Sequence, residues 1–127
     1  MIRPGLTATV QETVSEEMTA ERLGSGDVPV LGTPALVALV EAAAVAAVAE
    51  SLEQGMTSVG ARIELDHVAP TAVGASLNAT AELRQVDGRT LHFSFEVSDP
   101  AGPMARGTHV RVVVEREAFL ARATQRT

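Results

Sequence analysis

GTPALVALVEAAAVAAVAE, running from Gly32 to Glu50, is the stretch that decides the fold. Between Pro34 and Ala49 the one charged residue is Glu41, and every other side chain is apolar. Thr33-Pro34 predicts a helix start: a threonine hydroxyl caps free N–H groups, and proline at the first helical position forfeits no hydrogen bond. Alanine and leucine favour helix through the segment, and Glu50 marks where polarity returns. A helix apolar on all sides is buried on most faces rather than lying on a surface. A membrane span needs about 20 apolar residues and tolerates a central carboxylate poorly. The expectation is therefore a core helix with one carboxylate inside it, and no membrane segment.

The chain around this helix has 127 residues, enough for one domain, 1–127, with a single core. It is 46% hydrophobic but only 2% aromatic, so that core must be aliphatic. A formal net charge of −6 with no basic cluster argues against nucleic acid as a partner. The absence of cysteine excludes a disulfide, a thiol nucleophile and a thiolate metal site. The N-terminal residues Met1 to Gly5 lack a hydrophobic signal core, which makes a cytoplasmic protein the expectation.

On the N-terminal side of the helix, Leu6, Ala8, Val10 and Val14 alternate with threonines and Gln11, a strand pattern. Ser15 to Val30 is polar and then glycine-rich, which predicts a mobile loop over the helix start, with a short turn at Glu16–Arg22. On the C-terminal side, Glu53-Gln54-Gly55 should end the helix, since glycine accepts the left-handed cap. Four strands follow. Thr57 to Val68 sets Ala61, Ile63, Leu65 and His67 on one face, against Arg62, Glu64 and Asp66. Ser76 to Val86 sends Leu77, Ala79, Ala81 and Leu83 inward, and Arg89 to Ser98 gathers Leu91, Phe93, Phe95 and Val97. Met104 to Glu117 places Val110, Val112 and Val114 opposite Gly107, His109, Arg111 and Val113, and a short helix is expected from Ala118. Asp87-Gly88 marks a tight hairpin, and Asp99 to Pro103 marks a second turn. The pattern predicts an α+β domain in which a curved antiparallel sheet of about five strands wraps one long helix. A second subunit is expected to cover what the sheet leaves open.

Three polar residues stand out against this background. A carboxylate enclosed by Val40, Ala42, Ala44 and Val45 would lose hydration, which raises its pKa and suits Glu41 to proton transfer or attack; the alternative is an ion pair with an arginine. His67 should point inward, where a carboxylate and an imidazole together make a general acid/base pair. Thr33 is at least a cap, and its hydroxyl at the helix N-terminus could also hold a developing oxyanion. Eight helical positions rise by about 12 Å, so Thr33 and Glu41 cannot touch on one straight helix; they face one substrate from two ends, or meet through a bend or a subunit interface. His92 reads as a surface residue, while His109 and Arg111 share a face where either serves a site or a salt bridge. Three histidines this far apart, without local spacing to one another, make a weak case for a metal site.

Taken together, these residues resemble the fluoroacetyl-CoA thioesterase family, which has the hotdog fold. The matching features are Gly32-Thr33 opening the helix, Glu41 eight positions on, and His67 after Ser58-Val59-Gly60. Ala81-Glu82-Leu83-Arg84 with Asp87-Gly88-Arg89, and Gly107-Thr108-His109 with Arg111, are similar too. The resemblance implies a homodimer with active sites at or near the interface, hydrolysis of a short acyl-CoA thioester, and no cofactor. It carries over Thr33, Glu41 and His67 as the catalytic set, with Gly60 beside the thioester and Arg111 supporting the site. The nucleophile, Thr33 or Glu41, stays open; the reading taken is that Glu41 attacks or activates water, His67 carries the proton and Thr33 polarises the carbonyl. The family enzyme's phenylalanine lid has no aromatic counterpart in Leu23 to Leu31, so an acyl group other than fluoroacetyl is expected. The rival readings are a non-catalytic acyl-CoA binding module and a hotdog enoyl-CoA hydratase. The hydratase reading is disfavoured because Gly32 to Glu50 contains no histidine.

Overall fold

A computed structural model describes all residues from Met1 to Thr127. The chain runs β1 (Thr7–Thr13), a 3-10 turn (Glu16–Met18), α1 (Ala20–Leu23), α2 (Thr33–Val48) tightening into a second 3-10 turn (Ala49–Ser51), then β2 (Met56–His67), β3 (Ser76–Asp87), β4 (Thr90–Asp99), β5 (Gly102–Glu115) and α3 (Arg116–Gln125). The strands form one five-stranded sheet of order β1-β3-β4-β5-β2, antiparallel throughout. Consecutive strands joined by short turns pair as hairpins, and Gly88 supplies the positive φ in the turn between β3 and β4.

Alternation in β3 and β4 places Leu77, Ala79, Ala81, Leu83, Leu91, Phe93, Phe95 and Val97 on the inner face, all buried. Against that face lies α2, with Leu36, Leu39, Val40, Ala43, Ala44, Ala47 and Val48 buried. Alanines on the helix let it sit close to the sheet, and leucines fill the remaining volume. Fully burying a leucine contributes roughly 1.5–3 kcal/mol, so this aliphatic contact is the main source of stability. Thr33–Ser51 is apolar and long enough to pass as a membrane span by composition, but here it is the core helix of the sheet.

Burial of α2 is incomplete. Ala38, Ala42, Val45 and Ala49, at helical spacings of four, three and four, form an exposed apolar stripe that Glu41 borders. The outer edge of β2 is likewise unpaired, since β2 ends the sheet.

Three local expectations are corrected. The segment after β1 is more structured than its glycines suggest: Thr19 is buried, isolated bridges join Thr19 to Leu31 and Val30 to Ala72, and the Gly32 amide donates to the Met18 carbonyl at 2.8 Å. Gly32 is needed there because a β-carbon would lie 3.0 Å from the Ala20 backbone. The helix cap is Gly32 rather than Thr33, which is itself the first helical residue and makes no capping bond. Finally, Ala61 does not share a face with Ile63, Leu65 and His67. A bulge between Gly60 and Arg62 inserts it as an extra residue and makes the even positions face inward before it, the odd positions after it. Ser58 and Gly60 therefore point towards α2 on one side of the bulge, and Ile63, Leu65 and His67 on the other.

Candidate active site

The sheet parity set by the bulge decides which polar groups meet the helix. Two clusters result, one at each end of β2.

The first joins the start of α2 to the end of β2. Thr33 Oγ1 lies 2.9 Å from Nδ1 of the half-buried His67. Either the hydroxyl donates to Nδ1, leaving an Nε2–H, or a protonated Nδ1 donates to the hydroxyl; no protein group binds Nε2. Freed from capping, the Thr33 side chain is available because proline follows it and the preceding glycine takes the cap position. Beside this pair lies a cavity of about 220 Å³ lined by Val30, Leu31, His67, Val68, Ala69 and Pro70.

The second cluster lies mid-helix. On β5, Arg111 is 6% exposed and reaches Glu41 Oε2 through Nη1 at 3.0 Å. Its Nε donates to Ser58 Oγ and its Nη2 to the Ser58 carbonyl, both at 2.9 Å. His109, 2% exposed, lies with Nε2 3.2 Å from Arg111 Nη1 and 3.8 Å from Glu41 Oε2, while its Nδ1 is 2.8 Å from the Arg62 carbonyl. Burial holds His109 below the usual histidine range against the Arg62 carbonyl, which favours the charged ring; the Arg111 charge adds to the depression and Glu41 opposes it. A β-carbon at position 60 would collide with Glu41 Oε2, so Gly60 is what lets the carboxylate lie against β2. Here a second cavity, about 320 Å³, opens between Glu41, Gly60, Ala61, Arg62, Ile63 and His109. A larger concavity, about 660 Å³, lies on the opposite, polar face of the sheet around Asp66, Glu82, Arg84 and Arg106, away from both clusters.

Glu41 thus takes the ion-paired alternative rather than full enclosure: 40% of its side chain is exposed. One oxygen is held by Arg111, and no protein donor reaches the other. A carboxylate held this way can act as a base or as a nucleophile. A hydroxyl, an imidazole and a helix N-terminus, as at Thr33, can hold a carbonyl oxygen and move a proton. Within the chain the expected carboxylate–imidazole pair does not form, because no hydrogen bond or ion pair joins His67 to Glu41. Ser58 was visible in the sequence only as part of Ser58-Val59-Gly60; the signal for its role was a buried arginine opposite Gly60, one inward position further along β2, and that register is not written in the sequence.

Residues 14–117 match the family described as fluoroacetyl-CoA-specific thioesterase. A curated fluoroacetyl-CoA thioesterase of Streptantibioticus cattleyicolor is 40% identical over 98 residues, which cover 77% of this chain and 70% of the relative. The chain belongs to this family. It is a homologue of hydrolases acting on thioester bonds, and its fold is the hotdog fold. The solved fluoroacetyl-CoA thioesterase FlK superposes with a TM-score of 0.93 at 34% identity, covering 100% of this chain and 98% of that one. A hot-dog-like protein from Thermanaerovibrio acidaminovorans superposes with a TM-score of 0.90 at 27% identity, over 98% and 93% of the two chains.

Proposed function

We propose that the protein hydrolyses short-chain acyl-CoA thioesters to the free acid and CoA as a homodimer, each active site combining Thr33 and His67 of one subunit with Glu41, Gly60 and Arg111 of the partner subunit. The observation that carries this reading is the separation of the two clusters along an unpaired edge strand. Gly60 and His67 are seven strand positions apart, roughly 20 Å. The attacking group must come within about 3–3.5 Å of the thioester carbon while donors reach its oxygen from about 3 Å, so one chain cannot supply both. Antiparallel pairing of β2 with its copy, about a two-fold axis between Ile63 and Glu64, sets His67 opposite the partner's Gly60. It also occupies the free edge, and the apolar stripe of α2 calls for a similar cover.

In that arrangement Thr33 and the N-terminus of α2 hold the thioester oxygen as it gains charge. The partner's Glu41, its inner oxygen tied to the partner's Arg111, supplies the attacking oxygen, either its own or that of a water it deprotonates. Nδ1–H of His67 donates to the Thr33 hydroxyl, whose own proton goes to the thioester oxygen, and the charged imidazole delivers its Nε2 proton to the departing CoA sulfur. Water is consumed, either in that first attack or in hydrolysing the acyl–Glu41 anhydride that attack by the carboxylate leaves, and the products are the acid and the thiol.

Mixed dimers test the composite site. Glu41→Gln and His67→Ala homodimers should both be nearly inactive. Refolded or co-expressed together in equal amounts, they should regain about a quarter of wild-type activity, because half of the dimers are mixed and each mixed dimer holds one intact site of two. No recovery despite exchange of subunits, shown by mass spectrometry, would place each site within one chain.

Acyl selectivity should be graded. The cavity beside His67 is small and lined by Val30, Leu31, Val68, Ala69 and Pro70, with no aromatic side chain to sense fluorine. Each methylene accepted or refused by such a wall is worth ~1–3 kcal/mol, roughly 10–200-fold. Values of kcat/KM for fluoroacetyl-CoA and acetyl-CoA on one preparation are expected to lie within about a hundredfold of each other. A thousandfold preference for the fluorinated substrate would contradict this and place fluorine recognition elsewhere.

A further inference from the structure

We propose that His109 is a positioning residue of the Glu41 half-site, a neutral imidazole whose Nε2 lone pair fixes the Arg111 guanidinium and thereby aims the carboxylate. The proposal rests on the reading of Glu41 as the working carboxylate. Position 109 faces inward on β5, in register with Ile63 on β2 and beside Phe93 on β4, whose ring centroid is 6.2 Å from that of the imidazole. The groups that face it are few. Glu41 comes from α2, Arg111 from β5 itself and the Arg62 carbonyl from β2, while β4 presents the uncharged Phe93. The Arg62 side chain is turned away, paired with Glu64 at 2.7 Å.

The carbonyl of Arg62 can only accept, so Nδ1 of His109 carries the proton and donates at 2.8 Å. Nε2 then bears a lone pair, and Arg111 Nη1 donates to it at 3.2 Å. A second proton on the ring would set an N–H against a guanidinium that has no acceptor to offer, which is why burial and Arg111 both disfavour it. Arg111 is consequently held from three directions: by the Ser58 hydroxyl and carbonyl, by His109, and by Glu41. Two of these contacts leave from Nη1 alone. One of its protons goes to His109 and the other to Glu41 Oε2, so the position of the imidazole sets the direction of the bond that holds the carboxylate. Oε2 is thus committed to the scaffold, and Oε1 is left for chemistry.

Two variants separate this role from simple packing. His109→Gln keeps an amide oxygen near the Nε2 position, able to accept from Arg111. His109→Asn keeps a donor near Nδ1 for the Arg62 carbonyl but falls short of the arginine. With both checked for fold by circular dichroism and steady-state kinetics run on an acyl-CoA hydrolysed by the wild type, the asparagine variant should lose about 10–100-fold in kcat with KM nearly unchanged, as expected when a reacting group is misplaced by about 1 Å. The glutamine variant should recover most of that loss. Equal losses in the two variants, a loss confined to KM, or no loss in either would overturn the assignment. In the unmodified protein, imidazole nitrogen NMR at neutral pH should report the Nδ1–H tautomer with Nε2 unprotonated; the opposite tautomer or a charged ring would overturn it as well. If Glu41→Gln retains full activity, the reading of Glu41 fails and takes this assignment with it. If Glu41→Gln is inactive while His109→Asn is wild-type, only the assignment of His109 fails.

Discussion

Replacing Glu41 by glutamine is expected to lower kcat by about 10²–10⁴-fold while the protein keeps its fold. The amide is nearly isosteric with the carboxylate, and its oxygen can still accept from Arg111 Nη1, now 3.0 Å from Oε2. What it cannot do is take a proton from water or form a bond through a charged oxygen. The substitution also removes the one carboxylate that faces a buried guanidinium. Breaking a fully buried pair in this way costs ~3–5 kcal/mol, but Glu41 is 40% exposed and solvent screens part of that cost, so the destabilisation should be smaller. The thermal midpoint should fall, and kcat must be read well below it, by release of CoA thiol from an acyl-CoA. A folded Glu41→Gln protein with near-native kcat would reduce Glu41 to a structural counter-charge for Arg111.

The features that make this prediction possible were unevenly legible in the sequence. The apolar run from Pro34 to Ala49 and the alternation through Leu77–Leu83 and Leu91–Val97 carry their burial in their composition. The helix and the central strands could therefore be placed without coordinates. The same logic failed at Ala61, because a bulge is one residue out of phase and leaves no compositional mark when that residue is an alanine. That failure has consequences, since carrying the parity of Ile63, Leu65 and His67 back through the bulge would turn Ser58 and Gly60 to the solvent instead of the arginine. Burial of Glu41 was overestimated for a related reason. An apolar neighbourhood along a helix describes what is adjacent in sequence, whereas exposure depends on which side the sheet covers, and here the sheet leaves the stripe Ala38, Ala42, Val45 and Ala49 open. The pairing of Arg111 with Glu41 and Ser58 spans 70 and 53 residues, so only the register of β2 on β5 reveals it. Thr33 and His67 were legible as candidates, but the hydrogen bond between them was not, since an N-cap role for Thr33 would have occupied its hydroxyl.

That hydroxyl carries the second large expectation. Thr33→Val should lower kcat/KM by roughly 10²–10³-fold, and Thr33→Ser should restore most of it. Valine keeps the shape of the side chain and removes both the proposed donor to the thioester oxygen and the partner of His67 Nδ1, which lies 2.9 Å away. The size of the loss bears on the chemistry. A threonine that attacks the substrate needs a base beside it and a third group to orient that base. His67 could be the base, but within its own chain no carboxylate contacts it, and its one hydrogen-bonding partner is Thr33 itself. The carboxylate proposed for the site is Glu41, and its oxygen free of Arg111 is available to attack or to activate water. Thr33 is therefore expected to contribute as a donor, leaving residual turnover above that of Glu41→Gln. Two results together would reverse the roles: a Thr33→Val protein as inactive as Glu41→Gln, and an acyl group found on Thr33 by mass spectrometry after quenching the wild type during turnover. An acyl group on Glu41, or none on either residue, is compatible with the carboxylate as nucleophile or as base respectively. Heavy-isotope oxygen from water found in the carboxylate of Glu41 after a single turnover would establish the carboxylate as nucleophile, whereas water attacking the thioester directly must put the label in the acid and none in Glu41.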